Sequence, residues 1–315
     1  MKTRIFCDNA FFESTPERKA SDDNIKAVIK FFVSSPDSFA FTFSKKQYQN
    51  FVNMPQYSEL FRLIKKWTDS RISIDFDCAI DPGNNIDKAD EVTLYFGSDL
   101  LCQKARQYGE MCVELDKGND FEDLLETGGF IAKKGDQFNW KVKFESMPSK
   151  ICNSMIYVDN YTSKEEGMMN LECILDSLLP EALSVEFHLT VVTSPNKKYD
   201  DDTLKNKIHK ELESWLANHR PDVDFKKLEI LIIKTDDNHD RYILTNNYSI
   251  YCPKGFDLMR KGKSTQATFV DIDYPFIRIK PHKYDKYVNY IENIRKCFKV
   301  RGLESKNRLL CPTTL

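Results

Sequence analysis

The sequence predicts an α/β protein built from two α/β units. Strand and helix signals alternate through the first third, and the same order returns in the second half. The 315 residues also match about two domains at ~100–200 residues each.

The first unit opens with Arg4–Asn9 (RIFCDN), a short apolar run ending in a carboxylate, which reads as a strand. Ser21-Asp22-Asp23 then offers a helix cap, and Ile25, Val28, Ile29 and Phe32 follow at helical spacing. Ser38–Ser44 (SFAFTFS) alternates like a strand, Tyr57–Trp67 returns to helical spacing, and Arg71–Asp77 (RISIDFD) alternates again. Asp81–Lys88 is a turn-rich loop and Glu91–Gly97 a strand. Glu110–Glu126 holds seven acidic residues and one lysine. Phe138–Phe144 (FNWKVKF) alternates cleanly and predicts a half-exposed strand. The boundary is placed near Ser146–Lys150, dividing the chain into residues 1–147 and 148–315.

In the second unit, Ser154–Asn160 (SMIYVDN) is a strand that again ends in Asp-Asn. Ser163–Leu179 is a helix with early glutamates and an apolar face through Met168, Leu171, Leu175 and Leu178. Glu186–Ser194 is a strand. Asp202–Ala217 is a helix, with Leu204, Ile208, Leu212 and Leu216 at intervals of four. Lys227–Thr235 reads as a buried strand, Arg241–Tyr251 as a strand, Thr268–Ile279 as containing another, and Tyr284–Phe298 as a helix. The two units match in order: Asp8-Asn9 corresponds to Asp159-Asn160, Phe39–Ser44 to Leu189–Ser194, and Arg71–Asp77 to Lys227–Ile233. This correspondence predicts an internal pseudo-duplication. Shared strand–helix–strand order in two unrelated α/β domains would look the same.

Composition narrows the function classes. Lys+Arg total 46 against 48 Asp+Glu, which excludes a protein that coats polyanions through global charge. Hydrophobic content of 41% supports a folded core. No apolar run approaches the ~18–20 residues that span a bilayer, and the N-terminal apolar stretch is too short for a signal peptide. Nine cysteines lie scattered without a C-x-x-C pair, so a thiolate zinc site is not expected. They read as small buried hydrophobes and point to the cytoplasm. No metal or cofactor is expected.

The chemistry concentrates in residues 236–259, DDNHDRYILTNNYSIYCPKGFDLM. An acidic loop ends in His239-Asp240-Arg241, and Asn246 follows Arg241 after four residues. Gly255-Phe256-Asp257 comes next. This segment resembles the phospholipase D superfamily, which carries His-x-Lys-x4-Asp at the start of a strand. It is most similar to the divergent phospholipase D-like domain at the C-terminus of MIT-domain proteins. There an aspartate ends the first strand, a His-Asp-Arg follows a later strand, and a Gly-x-Asp-like turn comes next. Here those positions correspond to Asp159, to His239-Asp240-Arg241 and to Gly255-Phe256-Asp257, and the resemblance covers about residues 152–300. No MIT-type helical hairpin is visible near residue 1, so membrane remodelling is not carried over.

The resemblance implies a phospholipase D-like second unit. In that chemistry one histidine is the nucleophile and a second the general acid, so two motifs meet at one site. Cationic side chains neutralise the phosphate and a carboxylate orients the imidazole. The chain departs from the pattern in three ways. Arg241 replaces lysine, which permits a bidentate phosphate grip. Asn246 replaces the orienting aspartate, leaving Asp240, Asp159 or Asp257 to supply a carboxylate. All five histidines (His188, His209, His219, His239, His282) lie in the second half, so the first unit cannot contribute one. Two-histidine chemistry would then need a homodimer that pairs two copies of His239.

Residues 253–308 hold 14 Lys/Arg against 6 Asp/Glu, unlike the rest of the chain. Lys254, Arg260, Lys261, Lys263, Lys283 and Lys286 follow the motif and are interleaved with aromatics, a pattern suited to nucleic acid or another polyanion. A solvated basic face, or a dock for the acidic 110–126 stretch, is the plainer reading of the same residues. The expected function is a catalytically degenerate module that recognises phosphodiesters or a protein partner. The alternative is a variant phosphodiesterase or nuclease acting as a homodimer through His239. A metal-dependent nuclease centred on Asp8, with Glu59, Asp75 and Asp77, ranks last. The Lys-, Asn-, Ile- and Phe-rich composition suits a bacterial mobile-element or phage-defence protein.

Overall fold

The computed structural model describes residues 2–7, 39–42, 46, 48–49, 53, 82–84, 91–114, 128–225, 227–233, 240–275 and 281–311. The chain is α/β and divides into two compact units. The first comprises Met1–Glu126, Tyr274–Lys286 and Pro312–Leu315, the second Thr127–Asp273 and Tyr287–Cys311. The division falls ahead of the predicted 147/148, because the residues after Thr127 pair and pack with the second unit. The predicted helices at 21–32 and 57–67 and the strand at 71–77 lie outside the described residues.

In the first unit, β1 (Lys2–Cys7), β2 (Phe39–Thr42), β3 (Glu91–Gly97) and β4 (Met111–Glu114) form a parallel sheet in the order β2-β1-β3-β4. Helix α1 (Asp99–Gln107) connects β3 to β4, as a parallel pair requires. Ile5, Phe6 and Leu94–Phe96 are buried in continuous apolar runs, typical of strands covered on both faces. Phe6 stacks on Tyr95 with ring centroids 5.1 Å apart. Arg106 pairs with the buried Glu114 at 2.5 Å. Cys102 of α1 and Cys112 of β4 form a disulfide, which corrects the reading of these two as plain core thiols. Their separation of ten residues matches no motif; the short α1–β4 connection brings them together. Cys152 and Cys252 are buried thiols, in line with their apolar context.

The second unit has a seven-stranded mixed sheet. Its strands are β5 (Gly129–Ala132), β6 (Ser154–Val158), β7 (His188–Thr193), β8 (Lys227–Ile232), β9 (Tyr242–Thr245), β10 (Ser249–Tyr251) and β13 (Thr268–Asp273), in the order β5-β13-β10-β9-β6-β7-β8. β6, β7 and β8 run parallel, and every other pairing is antiparallel. A separate hairpin joins β11 (Met259–Arg260) to β12 (Lys263–Ser264). The parallel strands are linked by helices α3 (Glu165–Leu178) and α4 (Asp201–His219). Leu204, Ile208, Leu212 and Leu216 of α4 are buried at the predicted intervals, and Asp200 caps the helix by accepting from Thr203 N at 2.8 Å.

Two strand predictions are corrected. Phe138–Phe144 contains helix α2 (Trp140–Phe144), capped by Asn139, which accepts from Lys141 N at 2.8 Å. Trp140 and Phe144 lie on one face of this turn and are fully buried, a spacing of four that alternation hid. The Arg241–Tyr251 run is two strands, β9 and β10, joined through Asn246-Asn247. Thr245 Oγ1 accepts from Asn247 N and Tyr248 N and closes the turn.

The last helix, α5 (Pro281–Val300), belongs to the second unit from Tyr287 onward. Tyr287 OH donates to Thr245 O at 2.6 Å. Residues 305–308 then strap across β6, β7 and β8. Asn307 Nδ2 donates to Met155 O and to Thr190 Oγ1, both at 3.0 Å. Glu229 of β8 accepts from Ser305 Oγ and Lys306 N, both at 2.6 Å. Among the described residues, no helix is long and apolar enough to cross a membrane.

Candidate phosphate-recognition corner

Strand β6 ends at Val158, so Asp159 stands at the carboxyl end of the parallel strands, where open α/β sheets carry their sites. Its backbone N–H donates to Val192 O at 3.0 Å. Asp159 is 1% exposed, yet both carboxylate oxygens are used. Oδ1 accepts from Tyr161 N at 2.8 Å, and Oδ2 accepts from Phe256 N. The first bond shapes the turn that leads to α3. The second ties in the Gly255-Phe256-Asp257 turn from the far side of the hairpin. The charge of Arg241 favours the ionised form of the same carboxylate, though less than the two backbone N–H bonds do.

Arg241 Cζ lies 5.8 Å from the Tyr161 ring centroid, and Lys164 Nζ lies 4.4 Å from it. Two cations therefore converge on one aromatic ring. Two glycines make this approach feasible. Gly255 has φ +91°, and a Cβ there would stand 3.2 Å from Asp159 Oδ2 and from Tyr161 Cδ2. A Cβ on Gly167 of α3 would stand 2.0 Å from Tyr161 O, so only glycine lets the 161–162 backbone lie against the helix.

Behind the corner sits Asn170, fully buried. Its Oδ1 accepts from Trp140 Nε1 at 2.8 Å and from Met259 N at 3.0 Å, and its Nδ2 donates to Met259 O at 3.0 Å and Glu166 O at 2.8 Å. Asp257 accepts a longer bond from the same Nδ2, at 3.4 Å. Burial, then the Glu166 carboxylate, raises the Asp257 carboxyl above its usual range. Glu166 pairs with Arg260 at 3.1 Å.

The structure sorts the sequence candidates. Asp159, Arg241 and the Gly255–Asp257 turn meet at this corner. Asp240 does not: it is exposed, and Tyr251 OH donates to it at 3.4 Å, on the side where Tyr251 and Tyr242 stack on Tyr290. Asn246 stands away from this corner. It occupies the β9–β10 turn, five residues along the chain from Arg241, or roughly 16 Å at 3.3 Å per strand residue. Its Oδ1 accepts from Asn153 N at 2.9 Å, at the start of β6 rather than its end. His239, Asp8, Glu59, Asp75 and Asp77 lie outside the described residues. His188 is a core residue whose Nδ1 accepts from Arg308 N at 3.0 Å. His209 pairs with Glu213, and His219 stacks on Trp215. Lys254 donates to Ala267 O at 2.7 Å, whereas Lys261 and Lys263 sit on the exposed β11–β12 hairpin. Lys283 and Lys286 are half-buried on α5, within the first unit.

No protein-family model matches the chain, and no curated protein matches it by sequence. Among the described residues, no group of three or more His, Cys, Asp or Glu could hold a metal ion. The corner brings together two cations, an aromatic face and a buried carboxylate.

Sequence reading missed Tyr161, Lys164 and Asn170. One signal was present, a glycine at 167 inside a helical pattern, which marks a close backbone approach. Asn246→Ala tests the relocation of Asn246. It should lower stability by about 1–2 kcal/mol, through the unpaired Asn153 N–H, without changing ligand binding at the corner. Urea unfolding and a binding titration on the same protein read both outcomes.

Burial outweighs the two backbone N–H bonds and Arg241 and pushes the Asp159 carboxyl up from 3.8 to about 6. Folding therefore favours the protonated carboxyl. Between about pH 4 and 6 the folded state binds the extra proton, so stability falls as pH rises through this window and this contribution is flat above it. The expected loss is roughly 2–4 kcal/mol, from about 1.4 kcal/mol per pH unit. Asp159→Asn should remove that slope from a pH series of urea melts.

Proposed function

We propose that the second unit is a phospholipase D-like module that recognises phosphodiesters through Arg241 and is catalytically degenerate. One observation carries the reading. Asp159, Arg241 and Phe256, distant in sequence, come together at one corner: Asp159 accepts from Phe256 N, and Arg241 stands with Lys164 over the Tyr161 ring. Arg241 can grip a phosphate oxygen pair in a planar fork, while Lys164 adds a point charge beside it. Asp159 fixes the Tyr161 and Phe256 backbones that frame the two cations. Nucleic acid or another polyanion is the expected partner class.

Degeneracy is supported by the position of Asn246 in a hairpin turn and by the packing of His188 in the core. The second reading is a phosphodiesterase active as a homodimer that pairs two copies of His239, in a phage-defence setting. It is favoured by the place of His239 two residues before Arg241 in the sequence. Cleavage of single-stranded DNA and RNA in EDTA by wild type and His239→Ala separates the two. Activity lost on substitution supports the enzyme; no wild-type activity supports the binding module.

Binding is tested at Arg241. Arg241→Ala should weaken binding of a dinucleoside phosphate by about tenfold or more, since charge-assisted hydrogen bonds are worth about 1.5–3 kcal/mol. Arg241→Lys should recover part of the loss. Unchanged affinity in the alanine variant, measured by calorimetric titration, would remove Arg241 from the role.

A further inference from the structure

Four exposed lysines of the second unit stand together. Lys133 and Lys134 open the turn that follows β5, and Lys261 and Lys263 flank the tip of the β11–β12 hairpin. The two turns are far apart in sequence but are joined by backbone. Gly135 N donates to Ser264 O, Ser264 N to Asp136 O and Phe138 N to Gly262 O, each at 2.9 Å, and Gln137 bridges Lys263. Lys261 has φ +50° and Gly262 φ +71°, the paired left-handed positions of a tight hairpin turn.

No carboxylate among the described residues forms an ion pair with any of the four lysines. By contrast, Lys207, Lys227, Arg106, Arg220 and Arg295 each sit on a carboxylate. Asp136 is the one acidic residue within either turn. The double turn is firmly based. Asn170 holds both the N–H and the carbonyl of Met259, and Arg260 pairs with Glu166. Asn170 and Glu166 belong to α3, whose first turn is preceded by Lys164 on the Tyr161 ring. The double turn and the Arg241 corner are therefore anchored on the same helix.

The chemistry of the tips selects a partner. The turns read Lys-Lys-Gly-Asp and Arg-Lys-Gly-Lys, with no aromatic or aliphatic side chain to enter a bilayer. Lysine ammonium groups act as flexible point charges, which suits phosphates read without regard to base sequence.

We propose that the double turn of Lys133, Lys134, Lys261 and Lys263 binds the phosphate backbone of a nucleic-acid strand, one phosphodiester of which occupies the Arg241 corner. This extends the phosphodiester reading of that corner and rests on it. A strand spans both features, whereas a dinucleotide reaches the corner alone.

The test is fluorescence anisotropy on the full chain with a single-stranded oligonucleotide of about 16 nucleotides and with a dinucleotide. Lys133→Glu/Lys134→Glu and Lys261→Glu/Lys263→Glu should each weaken the oligonucleotide by at least about tenfold and leave the dinucleotide within about twofold. The milder Lys133→Gln/Lys134→Gln should lower the log–log salt slope by roughly 1.4, at about 0.7 per phosphate contact on a single strand. Thermal midpoints equal to wild type keep the comparison clear of misfolding. Oligonucleotide affinity unchanged in all of these variants overturns the proposal, even where Arg241→Ala abolishes dinucleotide binding and the corner stands. Dinucleotide binding that survives Arg241→Ala defeats the corner reading instead. Binding to phosphatidylserine vesicles that the lysine variants lose, with oligonucleotide affinity intact, assigns the surface to a membrane and also overturns the proposal.

Discussion

Asp159→Ala is expected to destabilise the second unit by about 2–4 kcal/mol, the cost of leaving two backbone donors in the interior without an acceptor. The carboxylate, 1% exposed, satisfies Tyr161 N and Phe256 N. Alanine leaves two backbone donors unmet, at about 1–3 kcal/mol each. The Asp159→Asn protein should lose less, because one amide oxygen still accepts. Urea unfolding at pH 7 measures both. A loss under about 1 kcal/mol for alanine would mean that water replaces the carboxylate and that the corner is open rather than built.

Trp140→Ala is the second large effect, expected at about 3–5 kcal/mol. The indole is fully buried, stacks on Phe144 at 5.3 Å and meets Phe138 edge-on at 4.9 Å. Its Nε1 donates to Asn170, which in turn grips Met259. The substitution therefore opens a cavity and loosens the base of the β11–β12 hairpin. Trp140→Phe separates the two contributions. It keeps much of the packing and loses the hydrogen bond, so its cost should be nearer 1–2 kcal/mol. Equal stability of the alanine variant and wild type would contradict the placement of Trp140 in the core.

Periodicity made the long elements legible. The four leucine and isoleucine positions of α4 recur at a spacing that only a helix buries on one side, and they are buried there. Short elements were not legible in the same way. In FNWKVKF the apolar positions 138, 140, 142 and 144 satisfy a two-residue period, while 140 and 144 alone satisfy a helical one. The Asn139 cap and the aromatic cluster decide for the helix, and the exposed Val142 shows which apolar position was decoy. The Asn246-Asn247 pair carried a turn signal that the apolar run around it masked.

The corner divides similarly. Asp159, Arg241 and Gly255–Asp257 came from a resemblance of motif order, because nothing in the spacing of 159, 241 and 256 brings them together. Only the pairing of β6 with β9 does so. Tyr161 and Lys164 follow Asp159 in an unremarkable loop, and their convergence depends on the close approach that Gly167 allows. The strap at Asn307 and Glu229 was equally silent, since its hydrogen bonds join residues from opposite ends of the unit.

The central claim is that this corner binds a phosphodiester. Amide chemical-shift mapping of the isotope-labelled protein during titration with a dinucleoside phosphate tests it most directly. The shifts should concentrate on Tyr161, Lys164, Arg241 and Gly255–Asp257, and Asn153 and Asn246 should stay still. Saturable shifts that cluster elsewhere, or none at millimolar ligand, would contradict it.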